Sequence, residues 1–266
     1  KSVRDARCHL TIFDDSSMID DMKTRSRRER EFQQREVEFL DLARHMITEG
    51  GLANFNMDRL AEATEYSKGT LYQHFGSKED LVSALAVQSL TRRVNWFERA
   101  VRFGGSTRER IQALTVAEEI FVTLQPQHFR SELLIKVDDF ASRASAERRA
   151  EIETLETRCF GLMRLVVDDA MRVGDLALPP HRTVGDVVIG LVSLHVGMFT
   201  VINSMPELLR QANVTHPLRA LRDHIAVHLD GLGWRPLAHQ YNHASTRQRI
   251  LNEVFPEESQ QAGCLD

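Results

Sequence analysis

Apolar positions in this chain recur at intervals of three and four nearly from end to end, and no stretch of five or more residues alternates as a half-buried strand does. The pattern predicts an all-α protein. Phe39, Leu40, Ala43, Met46 and Ile47 form the stripe of a helix from about Arg27 to Glu49, closed by Gly50-Gly51. Two short helices come next. Asn56 is placed to cap the first, from Met57 to about Thr64, with Leu60, Ala61 and Thr64 on one face. Ser67 is placed to cap the second. Gly76-Ser77 then ends that helix and caps a third, which starts at Lys78 and runs to about Val101. Residues 1 to about 22 carry no period and read as a loosely held arm.

Ser106 and Glu109 have capping-box spacing at the head of a helix carrying Ile111, Leu114, Ile120, Phe121 and Leu124. Pro126 opens another, through Phe129 to Phe140, and a long helix spans about Ala146 to Val173, stopped by Gly174. Pro179-Pro180 precedes a helix from about Val184 to Leu209 in which Val187 to Pro206 bear no formal charge. That length meets the criterion for a membrane span. Ser193, His195, Thr200, Asn203 and Ser204 interrupt it, and its flanks offer Asp186 and Glu207 rather than basic or aromatic anchors. A buried helix with no membrane role is therefore expected. Gly190, Ser193, Gly197, Thr200 and Ser204 form one small-residue stripe along it, where another helix can come close, while Leu191, Leu194, Met198, Ile202 and Met205 form a bulky face. Pro217 starts the next helix, in which Leu221, Ile225, His228 and Leu232 have heptad-like spacing. After Trp234, Ser245-Thr246 can cap a helix with Ile250, Leu251, Val254 and Phe255, which should dock on the body or on a partner subunit.

Two short helices joined by a three- to four-residue turn are the helix-turn-helix signature, and the second can enter a major groove. Here Leu60-Ala61, Ser67, Gly69-Thr70-Leu71-Tyr72, His74-Phe75 and Lys78-Glu79-Asp80-Leu81 resemble the DNA-binding core of tetracycline-repressor (TetR) type regulators. The chain leaves the family pattern at the turn, where Thr64-Glu65-Tyr66 replaces an Ala-Gly-aliphatic run. If Glu65 needs a positive φ, the substitution costs on the order of 1 kcal/mol. Tyr66 must find a larger hole or leave its hydroxyl in water.

The resemblance implies roles. Lys68, Gly69 and Thr70 would open the recognition helix, Thr70 and Gln73 would reach base edges, and Tyr72, His74 and Lys78 would contact phosphate. It also implies a homodimer formed through the last two long helices, for which Gly190, Ser193, Gly197, Ser204, Leu221, Ile225 and His228 are the candidates. A ligand pocket in the C-terminal domain would draw on Trp96, Phe97, Phe121, Phe129, Phe140, Phe160, Met163 and Val167, although aromatics at helical spacing also suit a plain core. Leu71 and Phe75 are expected to be buried.

Charge adds little support for a DNA-binding reading. The net charge is −4, and residues 22 to 80 hold 10 Lys/Arg against 11 Asp/Glu. Any electrostatic footprint must be local, and the run from Lys23 to Arg30, with Arg27 and Arg28, is the candidate. Cys8, Cys159 and Cys264 are far apart and odd in number, which suits a reducing compartment and no disulfide framework. No phosphate loop, GxSxG, HExxH or paired CxxC is present, so no enzyme, cofactor or metal is expected. His224 and His228 have i,i+4 spacing beside Asp223, without a fourth ligand.

The expected organisation is an arm (1–22), a three-helix helix-turn-helix DNA-binding domain (23–80), a larger helical ligand-binding and dimerisation domain (81–234) and a C-terminal extension (235–266). The expected protein is a cytoplasmic, nucleoid-associated repressor, released from a pseudo-palindromic duplex operator by a small apolar or amphipathic effector. The alternative is a DNA-bound protein-interaction factor with no effector. An apolar cavity favours the first reading, and a filled core with an exposed apolar groove favours the second.

Overall fold

The computed structural model describes residues 15–137 and 140–263, with side chains described from 27 onward except at 131 and 133–141. Among the described residues there are only helices and connections. The chain divides into two compact units, Lys1–His74 and Phe75–Asp266, so the boundary falls at the end of the recognition helix rather than at Asp80.

In the first unit α1 runs from Asp15 to Gly50. It starts well before the expected Arg27, because residues 15–30 have no glycine or proline and hold good helix formers such as Met, Lys, Arg and Glu. That composition favours a helix without leaving an apolar period in the sequence. Phe39, Leu40 and Ala43 are buried as the stripe requires. Gly51, at φ 75°, turns the chain out of α1, a conformation that favours glycine. Asn56 then caps α2 (Met57–Glu62), its side chain accepting from the Arg59 amide at 2.8 Å. After the turn comes α3 (Lys68–His74), with the Thr70 amide donating to Ser67 Oγ at 3.1 Å.

In the second unit the helices are α4 (Lys78–Ala100), α5 (Thr107–Leu124), α6 (Pro126–Val137), α7 (Phe140–Arg143), α8 (Ala146–Val173), α9 (Val184–Ser204), α10 (Pro206–Gln211), α11 (Pro217–Gly231), α12 (His243–Glu253) and α13 (Pro256–Gln261). The Ser106–Glu109 capping box forms at α5, and Gly174 closes α8 in the left-handed conformation at φ 84°. α5 is buried on every face, from Ile111 and Leu114 to Val116, Ala117 and Ile120, and the other long helices pack around it.

Residues 235–263, expected as the start of a separate extension, pack with the second unit. Trp234, Ile250, Leu251 and Phe255 belong to the same core as α5. Thr246 donates to Glu109 at 2.8 Å, and Arg99 reaches Glu258 and the Val254 carbonyl. A buried arginine ties the region together: Arg108, fully enclosed, donates to the Trp234 carbonyl at 2.7 Å and the Ala226 carbonyl at 2.9 Å, and pairs with Asp230 at 2.6 Å.

Candidate nucleic-acid interface and ligand cavity

α3 has two faces. Leu71 and His74 point inward, while Lys68, Gly69, Tyr72 and Gln73 are exposed and Thr70 is half-buried. The exposed residues lie together, as i, i+1 and i+4 neighbours on one helix must. Two of them are already engaged. Lys68 Nζ lies 2.6 Å from Asp58, which holds its ammonium above the usual lysine range, and the Thr70 hydroxyl lies 2.9 Å from Ser67 Oγ. Both links sit at the surface, where exchange for a new partner costs little. Arg27 and Arg28 are exposed on α1, with Arg27 paired to Glu31 at 2.7 Å. Lys78 is half-buried at the start of α4, whose first turn is capped by Ser77.

His74 is a correction. Its side chain is 1% exposed, stacked on Phe32 with 3.8 Å between ring centres and set edge-on to Phe39 at 5.3 Å. A ring enclosed in this way cannot touch phosphate. Burial lowers its pKa, and the carboxylate of Glu36 opposes that shift only in part. Its position in the motif reflects packing beside Leu71. The turn resolves the two questions its sequence raised. Glu65 has no positive φ, since Asn213 is the one non-glycine residue with that sign among those described. Tyr66 finds both its hole and its partner: the hydroxyl donates to Glu38 at 3.1 Å and the ring meets Phe39 edge-on at 5.3 Å.

The second unit contains a cavity of about 80 Å³ among α4, α5, α6, α8 and α9. Phe97, Phe129, Phe160 and Met163 line it as expected. Trp96, Phe121 and Val167 do not. Phe121 packs edge-on to Trp96 at 5.7 Å beneath the guanidinium of Arg93, and Val167 is plain core. The side chain of Phe140 lies outside the described residues. Phe160 and Val196, 40% and 37% exposed, place the cavity's mouth at the α8–α9 surface.

Sequence reasoning missed the polar end of this cavity. Arg93 lies 3.3 Å from Glu118 and 3.1 Å from Glu132, and Glu132 accepts a short hydrogen bond from Ser89. Burial opposes the charge on Arg93, but the two carboxylates outweigh it and raise its pKa. His195 Nδ1 donates to the Leu191 carbonyl at 2.8 Å, and burial lowers the pKa of its ring. The available signal was Glu118-Glu119 inside the apolar run of α5, since acidic residues on a buried helix need a reason to be there.

Residues 39–85 match the family described as "Bacterial regulatory proteins, tetR family". That segment runs from the end of α1 through α2 and α3 into α4, so the likeness to the family lies in the helix-turn-helix region. The chain is 24% identical over 204 residues to the HTH-type transcriptional regulator UidR of Escherichia coli K12, covering 77% of this chain and 96% of that one. The HTH-type transcriptional activator FasR of Mycolicibacterium smegmatis is 26% identical over 163 residues, covering 61% and 69%. In fold the chain resembles a bacterial regulatory protein of the tetR family from Rhodococcus RHA1, with a TM-score of 0.60 at 14% identity, covering 75% of this chain and 97% of that one.

The candidate dimer residues of the chain separate into those turned inward and those turned outward. Leu221 and Ile225 are buried in the protomer's own core, and so cannot meet a partner. At Gly190, α9 and α11 of one chain approach closely: a Cβ there would lie 2.9 Å from His228 Nε2. Their closeness is therefore intramolecular. Ser193, Gly197 and Ser204 do face outward, and Gly197 has open space around it. Ile189, Val196 and Val227, exposed by 53%, 37% and 71%, share the surface of these two helices. Contrary to expectation α9 is not a buried helix. It is long and apolar enough to cross a membrane, with only 22% of its apolar window enclosed in the protomer.

Proposed function

We propose that this chain is a homodimeric repressor of the tetR family that leaves a pseudo-palindromic operator when a small apolar or amphipathic molecule enters the cavity beside α4. One observation carries the reading: Leu90, Arg93 and Phe97 of α4 line that cavity, and the same helix begins at Lys78, just after the recognition helix ends at His74. Displacing the α4 wall pulls on the reader through residues 75–77. The two recognition helices of a dimer then lose the spacing that successive major grooves demand.

In this reading Thr70 and Gln73 meet base edges, Gln73 being able to hold adenine through two hydrogen bonds. Lys68, Tyr72, Lys78, Arg27 and Arg28 meet phosphates, and Gly69 keeps bulk away from the duplex. The exposed α9–α11 face, with Ser193, Gly197, Ser204 and Val227, packs on its counterpart. That pairing covers the apolar side chains without a membrane, and the protein works in the cytoplasm on nucleoid DNA. The Arg93–Glu118–Glu132 end of the cavity suits a ligand with one polar group and an apolar body. At about 80 Å³ the space is below the few hundred Å³ of typical ligand sites, so entry must widen it.

The test is fluorescence anisotropy with operator DNA across a salt series, after native mass spectrometry has identified any co-purifying ligand. Affinity should fall steeply with salt, and the ligand should release the DNA. A flat salt response would overturn the phosphate assignments. Ligand-independent binding by a protein that carries no ligand would favour the protein-interaction alternative. Transcription in vitro separates repression from the activation that FasR's name denotes.

A further inference from the structure

A second cavity, of about 510 Å³, lies between α5, α11 and α12. It is larger than the first and within the size range of small-molecule sites. Residues 238–247, beyond the usual last pair of helices, build one wall. The two cavities share Thr115 of α5 as a lining residue.

Its lining is rich in arginine: Arg108, Arg219, Arg222 and Arg247 face it, against the single carboxylate of Asp223. The nearby acids do not consume these donors. Arg222 Nη1 and Arg247 Nη2 both donate to one oxygen of buried Glu119, at 3.0 and 3.3 Å. Each guanidinium has five N–H groups, so most of this donor capacity is unspent by that oxygen. Buried Nε–H groups of Arg108 and Arg247 have no acceptor. A buried donor without a partner is costly, and proteins seldom tolerate one without a use. With Glu119 and Asp230 included, four arginines stand against three carboxylates. Leu229, Ile225 and the ring of Tyr241 supply apolar wall, with Tyr241 held by Gln112 at 3.4 Å.

We propose that this cavity binds an organic carboxylate: a carboxylate head held by Arg219, Arg222 and Arg247, on a body packed against Leu229, Ile225 and Tyr241. The planar guanidinium fork matches a carboxylate in two-point geometry, which an alcohol of the same shape cannot exploit. The site is separate from the cavity beside α4, and its occupation stabilises the docking of α12 on α5.

The experiment is isothermal titration of the full chain with 4-phenylbutyrate and with its neutral counterpart 4-phenylbutanol. The acid should bind at least tenfold more tightly than the alcohol. Arg219→Gln, at an exposed position, should weaken the acid several-fold without moving the melting temperature. Ala244→Trp, which fills the cavity from the exposed side of α12, should abolish binding, whereas Phe160→Trp in the first cavity should leave it unchanged. Equal affinity for acid and alcohol overturns the proposal, as does no binding of either. Loss of binding in Phe160→Trp with retention in Ala244→Trp overturns it too, and assigns the acid to the first cavity. Arg247→Lys keeps the charge beside Glu119 but removes the fork. It should weaken the acid and leave the alcohol untouched.

Discussion

His74 sits between Phe32 and Phe39, and its burial favours the neutral imidazole. The folded pKa is therefore lower than that of the unfolded chain, near 6.5. Above that value both states are neutral and stability is complete. As pH falls below it the unfolded chain takes up a proton first, so the first unit loses stability until the folded pKa is reached. Hydrogen exchange of α3 amides between pH 8 and 5 should show protection falling with acid, and His74→Phe should remove most of the trend. Glu65 offers a second test at this scale. With no positive φ to relieve, Glu65→Gly only adds freedom to the unfolded chain and should lower stability by about 0.4–1 kcal/mol. A gain measured by urea unfolding would mean that the turn is strained after all.

Among the elements, α5 and its partners carry most of the second unit. Arg108 is fully enclosed and satisfies two carbonyls and Asp230, so Arg108→Ala leaves acceptors and a carboxylate without their donor. Breaking such a pair costs about 3–5 kcal/mol, which chemical denaturation of the second unit should reveal. Ser106→Ala removes the α5 capping box and should cost about 1 kcal/mol by the same measurement. Helix existence was legible in the sequence because the caps and glycine stops are local: Asn56, Ser67, Ser77, Ser106 and Gly174 act where their positions imply. The inward face of α3 was only half legible. Leu71 announces burial by its type, whereas His74 suits core and phosphate equally, and only the rings on α1 decide. The cavity's charged end was hidden for a similar reason. Arg93, Glu118 and Glu132 lie on three helices, and no spacing within one helix brings them together.

For the whole molecule, the exposed apolar face of α9 and α11 is the feature that asks for a second copy. Sedimentation should give a dimer for the native chain. Gly197→Leu is a clean probe, because nothing in the protomer lies within 4 Å of a Cβ there. It should shift the chain toward monomer without altering its helical circular dichroism. An undisturbed dimer would exclude close approach at Gly197. Gly190→Ala should behave differently, pressing on the His228 ring within one chain and lowering protomer stability. The docking of α12 was not legible in the sequence, since the amphipathic stripe of Ile250, Leu251 and Phe255 suits the body or a partner equally.

Cys159 is buried and lies in the wall of the cavity beside α4. With Cys8 and Cys264 replaced by serine it is the sole thiol of the chain, and a maleimide reaches it only when that wall parts. The rate of labelling is then a clock for how often the cavity opens. A ligand that wedges the wall apart should speed the reaction, and one that fills the space should all but stop it, so the protein carries its own stopwatch for the motion on which the proposed regulation depends.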